Sequence, residues 1–379
     1  MSAFPFICPA PPEWSVDWPA LTDQFGWIRD MRECPQDAIF HAEGDVWTHV
    51  GMVCQALASF EEFRALPEAE RQILFAAALL HDVAKSACTR YEDGRITSRG
   101  HSQRGVIMAR RILWESGVDF AAREQVCGLV RYHQLPFHLI NRPDAERTVY
   151  LISQSARCDR LTLLARADAE GRRCADKDGL LTHIELFREF CREQGCLDIP
   201  KPFPSAHSRF LYFRTPGRDP DYLAYEAPRC EVTVMSGLPA SGKDTWIARH
   251  VPDLPQISLD AIRGELDTAP SGSQGLVVQV AREKAREFLR AGKNFVWNAT
   301  NLSREIRTQV IDLLTAYEAH VRIVYVETSH AGLFEQNRTR DSVVPQSAIE
   351  RMLDRWQVPD RIEGQKVEWW VNGRLQDEP

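Results

Sequence analysis

The stretch VTVMSGLPASGKDTW has the residue types and spacing of a phosphate-binding loop. Gly237, Gly242 and Lys243 match the pattern G-x-x-x-x-G-K. In such loops backbone N–H groups wrap anionic phosphates, the lysine reaches the outer ones, and a Ser or Thr after the lysine holds Mg²⁺. Asp244 takes that place here and Thr245 follows it. Either side chain offers an oxygen for Mg²⁺ beside a bound nucleoside triphosphate. If Asp244 is the ligand, we expect serine to serve in its place.

A carboxylate and an arginine three residues apart follow in ISLDAIRGEL. Asp260 and Arg263 lie on one side of a helical turn. The carboxylate can accept a proton from an attacking hydroxyl, and the arginine can grip a phosphate of the acceptor. Further along, EQNRTRDSVVPQSAIERMLDRWQVP brings Arg338 and Arg340 just before a predicted helix. Arginines in a mobile segment can neutralise the charge of a transferring phosphoryl group.

The first half of the chain carries a dispersed set of histidines and aspartates. Imidazoles and carboxylates suit a pair of divalent transition-metal ions, and an aspartate directly after a histidine can bridge the two. The candidate ligands are His49, His81, Asp82, His101, His133 and Asp168. The candidate phosphate contacts nearby are His41, Lys85 and Arg104, although a solvated side chain explains the lysine and the arginine equally well.

The elements that must position these residues change in character near residue 200. Before it, apolar residues recur at helical spacing, as in FAAALLHDVA, with few strand-like runs. After it, CEVTVMSG, NFVWNAT and VRIVYVET predict buried parallel strands separated by helices. We therefore expect two domains, an all-α domain over 1–200 and an α/β domain with a parallel sheet over 228–379. The proline- and aromatic-rich residues 201–227 predict an ordered linker between them.

Composition limits the classes of function. The 379 residues exceed one typical domain of about 100–200 residues. A formal net charge of −7 gives no overall attraction to nucleic acid, so any such contact needs a local basic patch. The ten cysteines form no C-x-x-C pair and are interpreted as reduced thiols. The start lacks the pattern of a signal peptide, and the run ILFAAALL is far below the roughly 18 residues of a membrane span, so we expect a cytoplasmic protein.

The second half resembles the 5′-hydroxyl polynucleotide kinases of the phage type. The resemblance rests on the phosphate-binding loop, the D-x-x-R element, the segment WNATNLSREIR and the lid NRTR followed by VP. It implies that Lys243 holds the donor phosphates, Asp260 is the general base, Arg263 binds the acceptor phosphate, and Arg338 and Arg340 form a lid. Two departures stand out. Asp244 replaces Ser or Thr, and the first Asn of WNATN stands where related kinases often have Asp, so we assign it no metal role.

The first half resembles the HD phosphohydrolases. The resemblance rests on the order in which its histidines and aspartates follow one another and on the motif ALLHDVAK followed by GH. With His41 in HAEGDVW, this half looks most like the HD domains attached to bacterial tRNA nucleotidyltransferases, which act on 2′,3′-cyclic and terminal phosphates. An HD phosphohydrolase domain followed by a P-loop kinase domain resembles the bacterial HD-domain polynucleotide kinases.

The combined resemblance implies a nucleic-acid end-healing enzyme with two activities. A metal-dependent phosphoesterase would remove 2′,3′-cyclic, 2′- or 3′-terminal phosphates, and an NTP-dependent kinase would phosphorylate a 5′-OH end. The implied cofactors are ATP or another NTP with Mg²⁺ and two divalent transition-metal ions. The implied partners are RNA or DNA ends and an RNA ligase of the same pathway, with no membrane. The alternative is a small-molecule kinase, for a nucleoside or metabolite, fused to a nucleotide-hydrolysing HD domain.

Overall fold

A computed structural model describes residues 4–267, 274–340 and 342–377. The chain divides into two compact units at the junction between Lys201 and Pro202. Each unit has its own buried core, and each is described here by itself.

The first unit is helical. Its helices are α1 (Trp18–Gln24), α2 (Gly26–Arg29), α3 (Val46–Ser59), α4 (Glu61–Arg64), α5 (Glu68–Leu80), α6 (Lys85–Cys88), α7 (His101–Glu115), α8 (Phe120–Tyr132), α9 (Ala145–Ser153), α10 (Cys158–Glu170) and α11 (Lys177–Glu193), with short 3₁₀ turns at Leu135–Phe137 and Leu139–Asn141. One antiparallel hairpin, β1 (Arg90–Glu92) and β2 (Arg95–Thr97), accompanies them. The sequence did not predict this hairpin, because its strands are only three residues long and neither contains a buried residue.

Two helices form the centre of this unit. In α5 every residue from Leu74 to Leu80 is buried, so the apolar run ILFAAALL is core of the unit. In α3 the side chain of Asp45 accepts a hydrogen bond from Thr48 N at 2.8 Å and caps the helix. Helices α3, α5 and α10 pack on one another, and α8 packs on α5 and α7. These contacts bring the ends and faces of five helices together.

The second unit is an α/β structure. Its strands are β3 (Cys230–Ser236), β4 (Gln256–Ser258), β5 (Phe295–Asn298), β6 (Ala319–Glu327), β7 (Lys366–Val371) and β8 (Arg374–Leu375). Its helices are α12 (Ala206–Arg214), α13 (Lys243–His250), α14 (Leu259–Glu265), α15 (Gln274–Arg290), α16 (Arg304–Thr315), α17 (His330–Thr339) and α18 (Gln346–Leu353).

The sheet has the order β4-β5-β3-β6-β7-β8, and its pairs are parallel apart from the last, β7 with β8. Strands β3, β5 and β6 are the three that the β-branched runs predicted, and the two-domain, α then α/β architecture is confirmed. Because parallel strands end at the same edge of a sheet, the loops after β3, β4 and β5 lie side by side, where ligands of such folds bind.

Residues 201–227 are the segment that we expected to link the two domains, and all of them after Lys201 belong to the second unit instead. They include α12, whose Phe210 and Tyr212 are buried. Phe210 packs in the same core as Val232 and Val234 of β3. The proline content suggested an extended segment, but Phe210 and Tyr212 gain more by entering the core than by covering a surface.

Within the described part of the chain, no helix is both long enough and apolar enough to cross a membrane.

Candidate metal centre and phosphate-binding loop

Asp82 lies between two pairs of histidines in the first unit and presents one oxygen to each pair. Its Oδ2 lies 3.7 Å from His49 Nε2 and 3.3 Å from His81 Nε2. Its Oδ1 lies 3.3 Å from His101 Nε2 and 3.7 Å from His133 Nε2. Each pair forms with Asp82 a buried group of three side chains that could hold a metal ion. This two-sided arrangement is the one expected of a carboxylate that bridges two ions.

The backbone turns three of these imidazoles toward Asp82. The Nδ1 atoms of His81, His101 and His133 lie 2.8, 2.7 and 2.8 Å from the carbonyl oxygen three residues earlier in the chain. An Nδ1–H that donates to a carbonyl leaves the lone pair of Nε2 free for a metal. All three histidines stand at helix ends, after α5, at the start of α7 and after α8.

The centre contains buried polar atoms that lack hydrogen-bond partners. Among the described residues, His49 Nε2, His81 Nε2 and Asp82 Oδ1 have none. Unpaired polar atoms at such depth are costly, and they call for an ion or water. Burial also lowers the pKa of His133 to about 3, so its imidazole is neutral at neutral pH, which is the form that binds metals. The residues present therefore fit divalent transition metals.

Cationic side chains hold both carboxylates ionised. Burial by itself would raise the pKa of Asp82, but Lys85, whose Nζ lies 2.7 Å from Oδ2, and His81 keep it well below its usual range. Asp168 accepts two hydrogen bonds from Arg172, at 2.8 and 2.7 Å. Its Oδ1 lies 3.2 Å from His49 Nε2, so all six predicted ligands meet in one place.

The three predicted phosphate contacts have different surroundings. The ring of His41 packs edge-on against that of His49, with centroids 4.7 Å apart. Lys85 pairs with Asp82 and also donates to Gln36 Oε1 at 2.7 Å. Arg104 lies at an exposed position of α7.

Sequence reasoning missed Glu43. Its Oε1 lies 2.8 Å from His41 Nδ1 and 2.9 Å from His49 Nδ1, and its Oε2 accepts a hydrogen bond from the backbone N–H of Arg173 at 2.8 Å. Glu43 thus contacts the Nδ1 side of the His49 ring, whereas Asp82 lies on the Nε2 side, and carboxylates often take this position behind metal-binding histidines. An acid between the two histidines of HAEGDVWTH was the available signal.

The phosphate-binding loop of the second unit requires glycine at both ends. Gly237 has φ 145°, and a Cβ there would lie 2.2 Å from the carbonyl oxygen of Val326. Gly242 has φ 97° and precedes the first residue of α13. The Gly237 N–H donates to the carbonyl of Thr300 at 2.9 Å, which joins the loop to the segment after β5. Because no side chain larger than hydrogen fits at Gly237, no side chain covers the backbone there, and phosphates could approach its N–H groups.

Lys243 begins α13 and folds over the loop. Its Nζ donates to the carbonyl oxygens of Gly237 and Leu238, at 3.1 and 2.8 Å. Burial lowers its pKa to about 8, while the charges of Asp244 and Asp260 act in the opposite direction. Arg340 also acts on Lys243 electrostatically. The loop, the D-x-x-R element and one lid arginine are therefore neighbours in space.

The two arginine-containing elements are arranged differently. Asp260 and Arg263 form an ion pair on α14, and the Asp260 side chain is 84% exposed. Arg338 lies within α17, where it pairs with Glu335 of the same helix. Arg340 lies just after that helix. Both lid arginines precede α18, the helix that the sequence predicted after them, and Arg338 also lies in the last turn of α17. Of the two, Arg340 is the one that acts on Lys243.

Asp244 is exposed and its Oδ1 accepts a hydrogen bond from Asn298 Nδ2 at 2.7 Å. Asn298 is the buried last residue of β5. Thr245 is exposed beside Asp244. The carboxylate of Asp244 therefore faces the end of the sheet, where oxygen ligands for Mg²⁺ are needed.

Comparison with known proteins agrees with this division. Residues 46–171 match the HD domain, and residues 232–359 match an AAA domain. A bifunctional polynucleotide phosphatase/kinase of Schizosaccharomyces pombe is 24% identical over 171 residues. The match spans 44% of this chain and 39% of that relative's length. A crystal structure described as a "putative kinase" from Chloroflexus aurantiacus covers 38% of this chain and 87% of its own, with 17% identity and a TM-score of 0.33, too low to bear on function.

All six ligand candidates lie within residues 46–171, the HD match. The phosphate-binding loop, Asp260 and the two lid arginines lie within residues 232–359, the AAA match. The chain is therefore an HD domain followed by a P-loop, kinase-like AAA domain.

Proposed function

We propose that this chain heals the ends of broken RNA or DNA. The HD unit removes a 2′,3′-cyclic, 2′- or 3′-terminal phosphate, and the P-loop unit transfers the γ-phosphate of an NTP to a 5′-OH. Cleavage of RNA by attack of its own 2′-OH leaves a 2′,3′-cyclic phosphate on one end and a 5′-OH on the other. A ligase that joins 3′-OH and 5′-phosphate ends could use both products.

In the HD unit, Asp82 and the two histidine pairs would hold divalent ions, with Asp168 beside His49. When bound, such ions supply a water of lowered pKa as nucleophile and polarise the phosphate. The chain's own task is to hold the imidazoles in the right orientation, as the backbone carbonyls and Glu43 do. Lys85 and His41 lie beside the cluster and would contact a phosphate entering it.

In the P-loop unit, the bare backbone at Gly237 and Gly242 would cradle the donor phosphates together with Lys243. Asp260 would take the proton of the 5′-OH as its oxygen attacks the γ-phosphorus and the nucleoside diphosphate leaves. Asp260 is exposed, so an acceptor as large as a polynucleotide end can reach it. Arg263 would bind the acceptor phosphate next to that end, and Arg340 would neutralise charge on the transferring group.

The observation that carries the proposal is that one chain combines a glycine-ended loop with Lys243 folded over it and a buried aspartate between two pairs of histidines. Asp260 and Arg340, which act on Lys243 electrostatically, support the kinase part. The match to a polynucleotide phosphatase/kinase supports the pairing of the two activities.

A competition between acceptors tests the proposal. The full chain, with Mg²⁺ and ATP, is offered a 5′-OH oligonucleotide and a nucleoside at equal concentration. We expect phosphate to appear on the oligonucleotide at a rate at least tenfold higher. Preferential phosphorylation of the nucleoside would replace this proposal with that of a small-molecule kinase fused to a nucleotide-hydrolysing HD domain.

A further inference from the structure

The hydrogen bond between Asp244 and Asn298 joins two positions 54 residues apart in the chain. Asp244 lies in the first turn of α13, directly after the phosphate-binding lysine. Asn298 ends β5, which pairs with β3 on one side and β4 on the other. The contact thus lies between the strand that leads into the loop and the strand that leads to Asp260.

In ordinary phosphate-binding loops the residue after the lysine and the residue at the end of the neighbouring strand contribute to Mg²⁺ binding in a different way. A hydroxyl follows the lysine, and an aspartate from a neighbouring strand supplies the carboxylate. Here the carboxylate follows the lysine and an uncharged amide ends the strand. We propose that the two positions have exchanged roles, so that Asp244 is the carboxylate that serves Mg²⁺ and Asn298 is the residue that orients it. This inference rests on the proposed kinase function.

The chemistry of the pair gives Asn298 an orienting role. An ionised carboxylate only accepts hydrogen bonds, so the amide must present its N–H group to Oδ1. Asn298 is 7% exposed and its backbone is held between two strands, whereas Asp244 is exposed. The buried partner therefore determines the direction of the exposed one, and Oδ2 of Asp244 stays available to an ion.

The charge at the pair explains why the exchange must involve both residues. An aspartate at 298 would place a second carboxylate within hydrogen-bond distance of the first, and like charges that close cannot both stay ionised without a cation. Conversely, serine at 244 with asparagine at 298 would leave no carboxylate at all. The sequence alone suggested that, if Asp244 holds Mg²⁺, Asp244→Ser would be tolerated. The contact with Asn298 reverses that expectation.

A purely structural reading exists for Asp244. An acid in the first turn stabilises a helix through the helix dipole. In that case the amide of Asn298 would only supply a hydrogen bond to the carboxylate of Asp244. That role does not depend on Mg²⁺, so a measurement made with and without the ion separates the two roles.

The test is isothermal titration of the full chain with ADP, in Mg²⁺ and in EDTA. We expect Asp244→Ser to reduce the Mg²⁺-dependent gain in ADP affinity about 10- to 100-fold, as loss of a metal-positioning group does, with affinity in EDTA unchanged. The double variant Asp244→Ser with Asn298→Asp should recover most of the gain. Asp253→Ser, an exposed aspartate in the loop after α13, is the matched control and should behave as the parent.

Two further variants keep the test decisive if the double variant does not fold. Asn298→Ala keeps the carboxylate but removes its donor, and should reduce the Mg²⁺-dependent gain several-fold, whereas a helix-stabilising role predicts no such change. Thr245→Ala tests the competing ligand. Loss of the gain in Thr245→Ala but not in Asp244→Ser would overturn the exchange, and so would a folded double variant no better than Asp244→Ser. Because ADP binding needs no acceptor, these results do not depend on whether the acceptor is a polynucleotide.

Discussion

Asp260 is the residue on which the proposed kinase chemistry depends most sharply. A 5′-hydroxyl is a poor nucleophile at neutral pH, and a positioned general base contributes about 10²–10⁴-fold in rate. Asp260→Asn keeps the shape but cannot take the proton, so kcat should fall by about that factor while ATP affinity stays nearly unchanged. Steady-state kinetics with a 5′-OH oligonucleotide measures both. A variant as active as the parent would remove Asp260 from the mechanism.

Arg263→Ala is the matched comparison, because Arg263 pairs with Asp260 but would act on acceptor binding. Its effect should appear in KM for the oligonucleotide, most clearly when the first nucleotide carries a 3′-phosphate.

Glu43 acts at the same scale in the other unit, through His49 and His41. If it holds His49 for metal binding, Glu43→Ala should lower the metal affinity of the HD centre about 10- to 100-fold. Metal content after dialysis against a graded chelator gives that affinity without an activity assay. Glu13→Ala, at an exposed position of the same unit, should keep the parent's metal content. Equal retention in both variants would show that Glu43 is not needed.

At the scale of elements, α16 is tied to the segment after α18 by one buried ion pair. Arg307 is fully buried, forms two hydrogen bonds with Glu363 at 2.7 and 2.9 Å, and donates to the carbonyl oxygens of Asn301 and Gln357. The resemblance to kinases had included this arginine within WNATNLSREIR without giving it a role. Its contacts show that it joins Asn301, next to the phosphate-binding loop, to the residues that follow the lid.

Removing one partner of a buried ion pair leaves the other charge uncompensated. Arg307→Ala should therefore destabilise the second unit by about 3–5 kcal/mol. Arg304→Ala, one turn away on α16 and paired with Asp360 at a more exposed site, should cost no more than about 1 kcal/mol. Scanning calorimetry should show the transition of the second unit shifted in the first variant and nearly unchanged in the second. Similar shifts in both would mean that Arg307 is not the anchor.

Elements with strong local patterns were predictable from the sequence, and paired contacts were not. The β-branched runs gave β3, β5 and β6, and the loop glycines gave a bend whose φ angles only glycine adopts easily. Helix α12 was missed because its aromatic residues, with prolines before and after the helix, are typical of a linker. Its burial depends on a core built from distant residues. The bond from Asn298 to Asp244 and the place of Glu43 behind His49 were also missed, because each depends on side-chain directions that residue spacing does not give.

At the scale of the whole molecule, the two candidate sites share no residue. Asp82 and the histidines belong to the unit before the junction of Lys201 and Pro202, and Lys243 and Asp260 belong to the unit after it. Each candidate site is built from elements of its own unit. Loss of one activity should therefore leave the other intact, and each end of a broken strand should be repaired separately.

The most direct measurement is end analysis of one RNA that carries a 5′-OH and a 2′,3′-cyclic phosphate, incubated with ATP, Mg²⁺ and a divalent transition metal. Asp82→Ala should phosphorylate the 5′ end and leave the cyclic phosphate. Asp260→Asn should open and remove the phosphate and leave the 5′-OH. A mixture of the two variants should repair both ends. Loss of the kinase in Asp82→Ala, in protein that circular dichroism shows to be folded, or failure of the mixture to repair both ends, would contradict the account.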